Sequence, residues 1–111
     1  MQDMLVIIPT YNEIDNIEPL TQAVLDAADF ADILIVDDNS PDGTGQKADQ
    51  LRTQNPRIHV LHRTQKNGLG RAYLAGFDWA LFRSYSFIME MDCDFSHDPK
   101  EIPNFRRKMQ E

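Results

Sequence analysis

Residues 4–13 read MLVIIPTYNE, an apolar run that passes directly into a polar segment. The run Met4–Ile8 is rich in Ile and nearly continuous, which is typical of a strand buried on both faces of a parallel sheet. Three later runs share this character: Ile33–Val36, Ile58–Leu61 and Phe87–Met91. The sequence therefore predicts four parallel strands.

Segments with helical spacing alternate with the predicted strands. Their apolar stripes are Ile14, Ile17, Val24 and Ala28; Ala48 and Leu51; Leu69, Ala72, Tyr73, Gly76, Phe77 and Ala80; and Ile102, Phe105 and Met109. Two helix starts are indicated: Thr10–Glu13 has capping-box spacing, and Asp98–Glu101 combines an N-cap acid with a first-turn proline. The order βαβαβαβα predicts an α/β fold in one domain, residues 1–111.

Composition excludes several classes of function. The chain carries 11 basic and 18 acidic residues, a net charge of −7. This balance argues against nucleic acid as a partner and against electrostatic docking on anionic lipid. Cys93 is the single cysteine, so an intrachain disulfide is impossible and a reducing compartment is favoured. No apolar stretch approaches a membrane span in length.

The ends of the predicted strands carry polar groups, and ligands of doubly wound sheets bind at that edge. After the first strand, Tyr11 is placed to cover a nucleobase and Glu13 to accept a bond from the base or ribose. The alternative for Glu13 is a capping box with the amide of Thr10. After the second strand, the acids Asp37 and Asp38 are costly to bury unless a cation or donors satisfy them. Asp38 is suited to a base edge, while residues 39–43 favour a turn.

The segment after the third strand, residues 62–71 (HRTQKNGLGR), is the one locally basic stretch. It precedes a predicted helix N-terminus, which attracts anions. We therefore expect a phosphate-contacting loop formed by Lys66, Gly68, Gly70 and Arg71. A solvated loop with glycine turns is the alternative.

The fourth strand is followed by residues 90–98 (EMDCDFSHD). Asp92 and Asp94 bring two oxygen ligands together, as Mg²⁺ or Mn²⁺ requires for bridging a diphosphate. In an aspartate-rich chain such a triplet arises by chance, so its position at a strand end is what favours a metal site. We expect Cys93 to pack inward, and His97 to be either a third ligand or a structural hydrogen-bonding residue.

Four segments together resemble family 2 glycosyltransferases: residues 8–13 (IPTYNE), 36–44 (VDDNSPDGT), 66–70 (KNGLG) and 91–99 (MDCDFSHDP). The SPDGT turn and the SHDP ending are most similar to the dolichol-phosphate (polyprenol-phosphate) mannosyltransferases within that family. The resemblance implies a GT-A nucleotide-diphospho-sugar fold with GDP-mannose as donor. It also implies that the nucleotide is lined by Pro9, Tyr11, Glu13, Val36 and Asp38, and that Asp92 and Asp94 bracket the diphosphate and metal, with Cys93 contributing backbone.

The activity implied by the resemblance is transfer of mannose from GDP-mannose to a dolichyl or polyprenyl phosphate, with inversion and with Mg²⁺ or Mn²⁺. Members of that family are longer, so we expect residues 1–111 to be the N-terminal part of the design, holding the donor and metal site. We expect a cytoplasmic location, peripheral at the membrane face. Alternatives are another donor such as UDP-glucose, or a truncated, non-catalytic nucleotide-binding protein. A receiver domain would need a lysine after a late strand, which is missing.

Overall fold

The computed structural model describes residues 2–64 and 69–110, and for Leu69 its backbone only. Strands and helices alternate along the chain as predicted. In chain order they are β1 (Met4–Thr10), α1 (Ile17–Ala27), β2 (Ala31–Asp37), α2 (Thr44–Gln54), β3 (Ile58–His62), α3 (Leu69–Leu81), β4 (Phe87–Glu90), a 3-10 turn (Pro99–Glu101) and α4 (Ile102–Gln110).

The four strands form one parallel sheet with the order β3-β2-β1-β4. The chain moves outward from β1 through β2 to β3 and then returns to the other side of β1. The order therefore reverses between β1 and β4, and ligands of such sheets bind in the crevice at the carboxyl ends of the strands beside this point. The predicted parallel sheet is confirmed, and Asp38 and Asp92 follow the two strands that flank β1.

Two apolar cores cover the two faces of the sheet, which explains the continuous apolar runs. On one face, Val6 and Ile8 pack with Ile33 and residues of α1, α2 and α4. On the other face, Ile7 packs with residues of α3. All seven side chains of Met4–Thr10 are buried, because β1 is central and covered on both sides.

Helix α3 approaches β1 closely at Gly76. A Cβ atom built on Gly76 would lie 2.8 Å from Cγ2 and 3.1 Å from Cδ1 of Ile7. Contacts this short are repulsive, so the absence of a side chain at this position allows the helix to reach the sheet. Gly76 therefore has a packing role within the predicted apolar stripe.

The two predicted helix starts have different outcomes. Helix α1 begins at Ile17, with Asn16 as N-cap, so the capping box predicted at Thr10–Glu13 is wrong. Instead, the amide of Glu13 donates a hydrogen bond to Thr44, and the carboxylate of Glu13 accepts one from Asn16. The start at Asp98 is confirmed, because its carboxylate accepts a bond from the amide of Lys100 at 3.0 Å, although one 3-10 turn precedes α4.

Helix α4 is attached by one buried apolar residue and by polar contacts of Arg106. Ile102 is its buried residue, whereas Phe105 and Met109 are 45% and 43% exposed. Arg106 donates two hydrogen bonds to Asp3, at 3.1 and 2.6 Å, and lies over the ring of Phe30. None of the helices in the described ranges is long and apolar enough to cross a membrane.

Candidate donor-binding site

The loops that follow β1, β2 and β4 lie at the carboxyl edge of the sheet and are joined by side-chain hydrogen bonds. Asn16 connects the loop that follows β1 with the loop that follows β4. Its Nδ2 donates to Oε2 of Glu13 at 3.1 Å and to the carbonyl of Cys93 at 3.2 Å. Glu13 is therefore held beside the segment that carries Asp92 and Asp94. Asn16 was not predicted as a site residue, and its N-cap position was the only signal for it.

Asp37 is a structural carboxylate. It is 2% exposed, and it accepts hydrogen bonds from the hydroxyls of Thr10 and Ser40, both at 2.6 Å, and from the amide of Ser40 at 3.1 Å. These donors offset the cost of burying the charge without a cation. We expected donors or a cation to satisfy the paired acids. For Asp37, the donors are Thr10 and Ser40.

The turn after β2 holds the loop after β1. The amides of Asn12, Glu13 and Ile14 donate in succession to Ser40 Oγ, Thr44 Oγ1 and an oxygen of Asp42, at 3.0, 3.0 and 3.1 Å. Because three consecutive amides are bound by alternate residues of the turn, the loop that presents Tyr11 and Glu13 has a defined path. This long-range bonding replaces the local capping box.

Asp42 also accepts hydrogen bonds from the amide and hydroxyl of Thr44. Desolvation opposes ionisation of Asp42, but the bonds from Thr44 and Ile14 outweigh it and hold the pKa of Asp42 below its usual range. An aspartate with a lowered folded-state pKa contributes stability above its unfolded pKa of about 4, and this contribution is lost as pH falls through the folded-state pKa.

We therefore expect Asp42→Asn to be less stable than the parent at pH 7, with a gap that narrows below about pH 4. Urea unfolding midpoints of both proteins across the acid range would measure this. Asp78→Asn, which changes an exposed aspartate on α3, is the matched control and should show little gap. A gap for Asp42→Asn that stays constant with pH would contradict the assignment.

Asp38 forms an ion pair at the end of β2. Its side chain is 6% exposed, and Nη1 of Arg63 donates to both carboxylate oxygens, at 3.0 and 3.2 Å. Arg63 was quoted only as part of the basic stretch, and its partner was not predicted. A base that donates to Asp38 would share this carboxylate with the guanidinium.

Asp92 and Asp94 follow β4 and make different contacts. The hydroxyl of Tyr73, on α3, donates to Oδ1 of Asp92 at 2.7 Å. The amide of Ser96 donates to Oδ1 of Asp94 at 2.9 Å, and the hydroxyl and amide of Ser96 hold the pKa of Asp94 below its usual range. Ser96 therefore stabilises the anionic form of Asp94, a role that its position in the motif did not indicate.

The donor set fits a hard divalent cation. Asp92 is half-buried and Asp94 is exposed, so each of the two carboxylates is accessible from solvent. Within residues 2–64 and 69–110, no three His, Cys, Asp or Glu side chains form a metal cage, and His97 is not part of one. Mg²⁺ commonly binds through one or two carboxylates together with substrate phosphates and water. Asp92 and Asp94 match that pattern.

Negative charge accumulates around this segment. Cys93 is 3% exposed, as expected for an inward-packed residue. Burial, with added effects from Glu13 and Asp94, raises the pKa of the Cys93 thiol to about 12. In the absence of a metal, the thiol therefore stays protonated at neutral pH. The same carboxylates favour a bound cation.

The remaining predicted residues occupy varied positions. Pro9 and Val36 are buried opposite each other on β1 and β2, so their side chains belong to the core, while Tyr11 is 37% exposed at the end of β1. Gly70 and Arg71 are exposed in the first turn of α3. Lys66 and Gly68 lie outside the described residues.

Curated relatives match most of this chain in sequence. An undecaprenyl-phosphate mannosyltransferase of Micrococcus luteus is 55% identical over 101 residues, covering 90% of this chain and 41% of that protein. A polyprenol monophosphomannose synthase of Mycolicibacterium smegmatis is 57% identical over 102 residues, covering 91% of this chain and 38% of the relative. The chain therefore spans about two fifths of the length of these curated relatives.

The fold also matches a solved mannosyltransferase from Pyrobaculum calidifontis in complex with GDP-Man and Mn²⁺, with a TM-score of 0.72 over 83% of this chain and 27% of that one. The identity is 23%, so this likeness concerns the GT-A fold alone. Residues 5–111 match the family described as glycosyl transferase family 2. From its sheet, its strand-end motifs and this match, the chain belongs to glycosyl transferase family 2.

Proposed function

We propose that this chain binds GDP-mannose with Mg²⁺ or Mn²⁺, as the donor half of an enzyme that transfers mannose to a polyprenyl phosphate. The single observation that carries the proposal is the junction made by Asn16, which joins the loops after β1 and β4. Because those loops carry Glu13 and the pair Asp92 and Asp94, one ligand can contact them together.

Each part of the donor has a candidate partner. We assign the base and ribose to Tyr11, Glu13 and Asp38, at the ends of β1 and β2. Val36 and Pro9 are core residues, so they would contribute backbone and shape beneath the nucleotide. Cys93 likewise contributes backbone, since its thiol is buried.

The diphosphate is assigned to the segment after β4. When bound by Asp92 and Asp94, a Mg²⁺ or Mn²⁺ ion would neutralise the charge that develops on the departing diphosphate. Gly70 and Arg71, in the first turn of α3, are placed where a helix N-terminus favours anions. With Lys66 and Gly68 they form the proposed phosphate loop.

The acceptor chemistry requires little from this half of the protein. A phosphate monoester has a second pKa of about 6, so it is largely ionised near neutral pH. Its oxygen attacks the anomeric carbon of mannose, the bond to the GDP oxygen breaks, and the configuration inverts. No general base is therefore assigned. A lipid acceptor also places the reaction at a membrane face, which we propose to be cytoplasmic.

Donor choice is the part of the proposal that needs a direct test. Isothermal titration of the chain with GDP-mannose and with UDP-glucose, each with Mn²⁺, should give tighter binding for GDP-mannose. Tighter binding of UDP-glucose would favour another donor within the family. Radiolabelled mannose transfer to a polyprenyl phosphate then separates an active chain from a nucleotide-binding protein that lacks turnover.

A further inference from the structure

The contact between Tyr73 and Asp92 joins the apolar core to the proposed metal segment. The Tyr73 ring packs against the core beneath α3, together with Ile7 and Val36. Its hydroxyl reaches Oδ1 of Asp92 at 2.7 Å, just beyond the end of β4. A phenol has few rotatable bonds, so a packed ring gives its hydroxyl a fixed position.

The hydrogen bond from Tyr73 involves one carboxylate oxygen of Asp92 and not the other. In the described parts of the chain, Oδ1 of Asp92 has Tyr73 as donor, and no hydrogen bond involves Oδ2. The terminal torsion of an aspartate is otherwise broad, so a fixed donor on one oxygen also orients the second. Asp92 is thereby preorganised to offer one oxygen to a cation.

The type of donor matters as well as its position. Arg63 pairs with Asp38 and offsets its negative charge. Tyr73 brings no charge, so Asp92 keeps its full negative charge for a cation. A phenol has an ordinary pKa of about 10, so the Tyr73 hydroxyl is a hydrogen-bond donor at neutral pH.

We propose that Tyr73 is a positioning residue for the diphosphate–metal site, where its hydroxyl holds Oδ1 of Asp92 so that Oδ2 remains available to the cation. The inference rests on the proposed function, because it assumes that Asp92 binds a metal with the donor diphosphate. It predicts that Tyr73 affects metal affinity without contacting the metal.

The chain offers a matched control in Tyr85. Its hydroxyl donates to Oδ2 of Asp32 at 2.5 Å, and its ring packs against the same core. Asp32 lies near the start of β2, at the opposite edge of the sheet from Asp92. Tyr85→Phe therefore removes an equivalent tyrosine–aspartate bond away from the proposed site.

The test titrates Mn²⁺ into the 111-residue chain at fixed GDP-mannose, for the parent, Tyr73→Phe and Tyr85→Phe. We expect Tyr73→Phe to weaken the apparent Mn²⁺ affinity about tenfold, within the range typical of partners that orient metal ligands. GDP-mannose binding in the presence of a chelator should be unchanged by Tyr73→Phe. Tyr85→Phe should keep the parental Mn²⁺ affinity, with a similar change in thermal unfolding midpoint.

Two results would overturn the inference while leaving the proposed function intact: parental Mn²⁺ affinity in Tyr73→Phe, or an equal loss in Tyr85→Phe, which would show a general effect of lost stability. A parent chain whose GDP-mannose binding is independent of Mn²⁺ would overturn the metal assignment itself, and Tyr73 with it. The parental titration thus distinguishes failure of the proposed function from failure of the role of Tyr73.

Discussion

Asp94→Ala is expected to abolish the metal-dependent part of GDP-mannose binding. Asp94 is exposed at the carboxyl edge, and Ser96 maintains its anionic form. Alanine removes the carboxylate, and Asp92 then remains as the single carboxylate of the pair for the divalent cation. The apparent affinity with Mn²⁺ should fall by more than about 100-fold, beyond the range typical for residues that only orient a ligand. Calorimetric titration with Mn²⁺ and with chelator measures this difference.

The control for this substitution is Asp78→Ala, which removes an exposed aspartate from α3. It changes the net charge of the chain by the same amount as Asp94→Ala. Asp78→Ala should therefore keep the parental affinity in the presence of Mn²⁺. If Asp94→Ala also retains parental affinity with the metal, Asp94 has no role as a ligand.

The second large effect concerns folding, at the contact between Gly76 and Ile7. Gly76→Ala places a Cβ atom 2.8 Å from a side-chain atom of Ile7, which is fully buried, so the helix or the Ile7 side chain must shift. Overpacking of this kind costs about 1–3 kcal/mol. Ile7→Ala alone should cost about 2–5 kcal/mol, because it opens a cavity under α3. Denaturant unfolding of both variants would measure these losses.

The double variant separates a steric clash from general damage to the core. The three atoms nearest to a Cβ added at Gly76 all belong to the Ile7 side chain, so Ile7→Ala removes the obstruction. The combined loss should be clearly smaller than the sum of the single losses. Gly70→Ala in the same helix has no atom within 4 Å of the added carbon and should be neutral or slightly stabilising. Strict additivity would contradict the steric explanation.

The two inner strands were the most predictable, because β1 and β2 are buried almost throughout, whereas the outer strands β3 and β4 are partly exposed. In an α/β domain, a continuous apolar run such as Met4–Ile8 is typical of a strand covered on both faces of the sheet. In the structure, the strand that contains this run ends at Thr10. The stripe of α4 was less informative. It predicted Ile102, Phe105 and Met109 on one face, but of these three only Ile102 is buried, and the stripe did not indicate the hydrogen bonds that Arg106 donates to Asp3.

The positions of the strand-end acids were predictable, whereas the residues that hydrogen-bond to them were not. Asp38, Asp92 and Asp94 follow strands, so the topology alone places them at one edge. The partners of two of these acids are distant along the chain, since Arg63 is 25 residues from Asp38 and Tyr73 is 19 from Asp92. Periodicity identified Tyr73 as an apolar core residue, and it contains no information about where the hydroxyl binds.

The failed capping box has the same physical origin. Local spacing suggested that Glu13 binds the amide of Thr10, but the turn after β2 competes for this loop. In that turn, three consecutive amides of the loop donate hydrogen bonds to side-chain oxygens of Ser40, Thr44 and Asp42. A spacing pattern relates residues that are close along the chain, whereas these hydrogen bonds require β1 and β2 to lie side by side in the sheet.

We propose that the ends of β1, β2 and β4 together form one site for a metal-bound nucleotide diphosphate. A crystal structure of the chain with GDP-mannose and Mn²⁺, with the ion located by its anomalous scattering, would show whether they do. We expect Mn²⁺ at about 2 Å from oxygens of Asp92 and Asp94, with the base beside Asp38. Manganese bound elsewhere, or a base remote from Asp38, would contradict it.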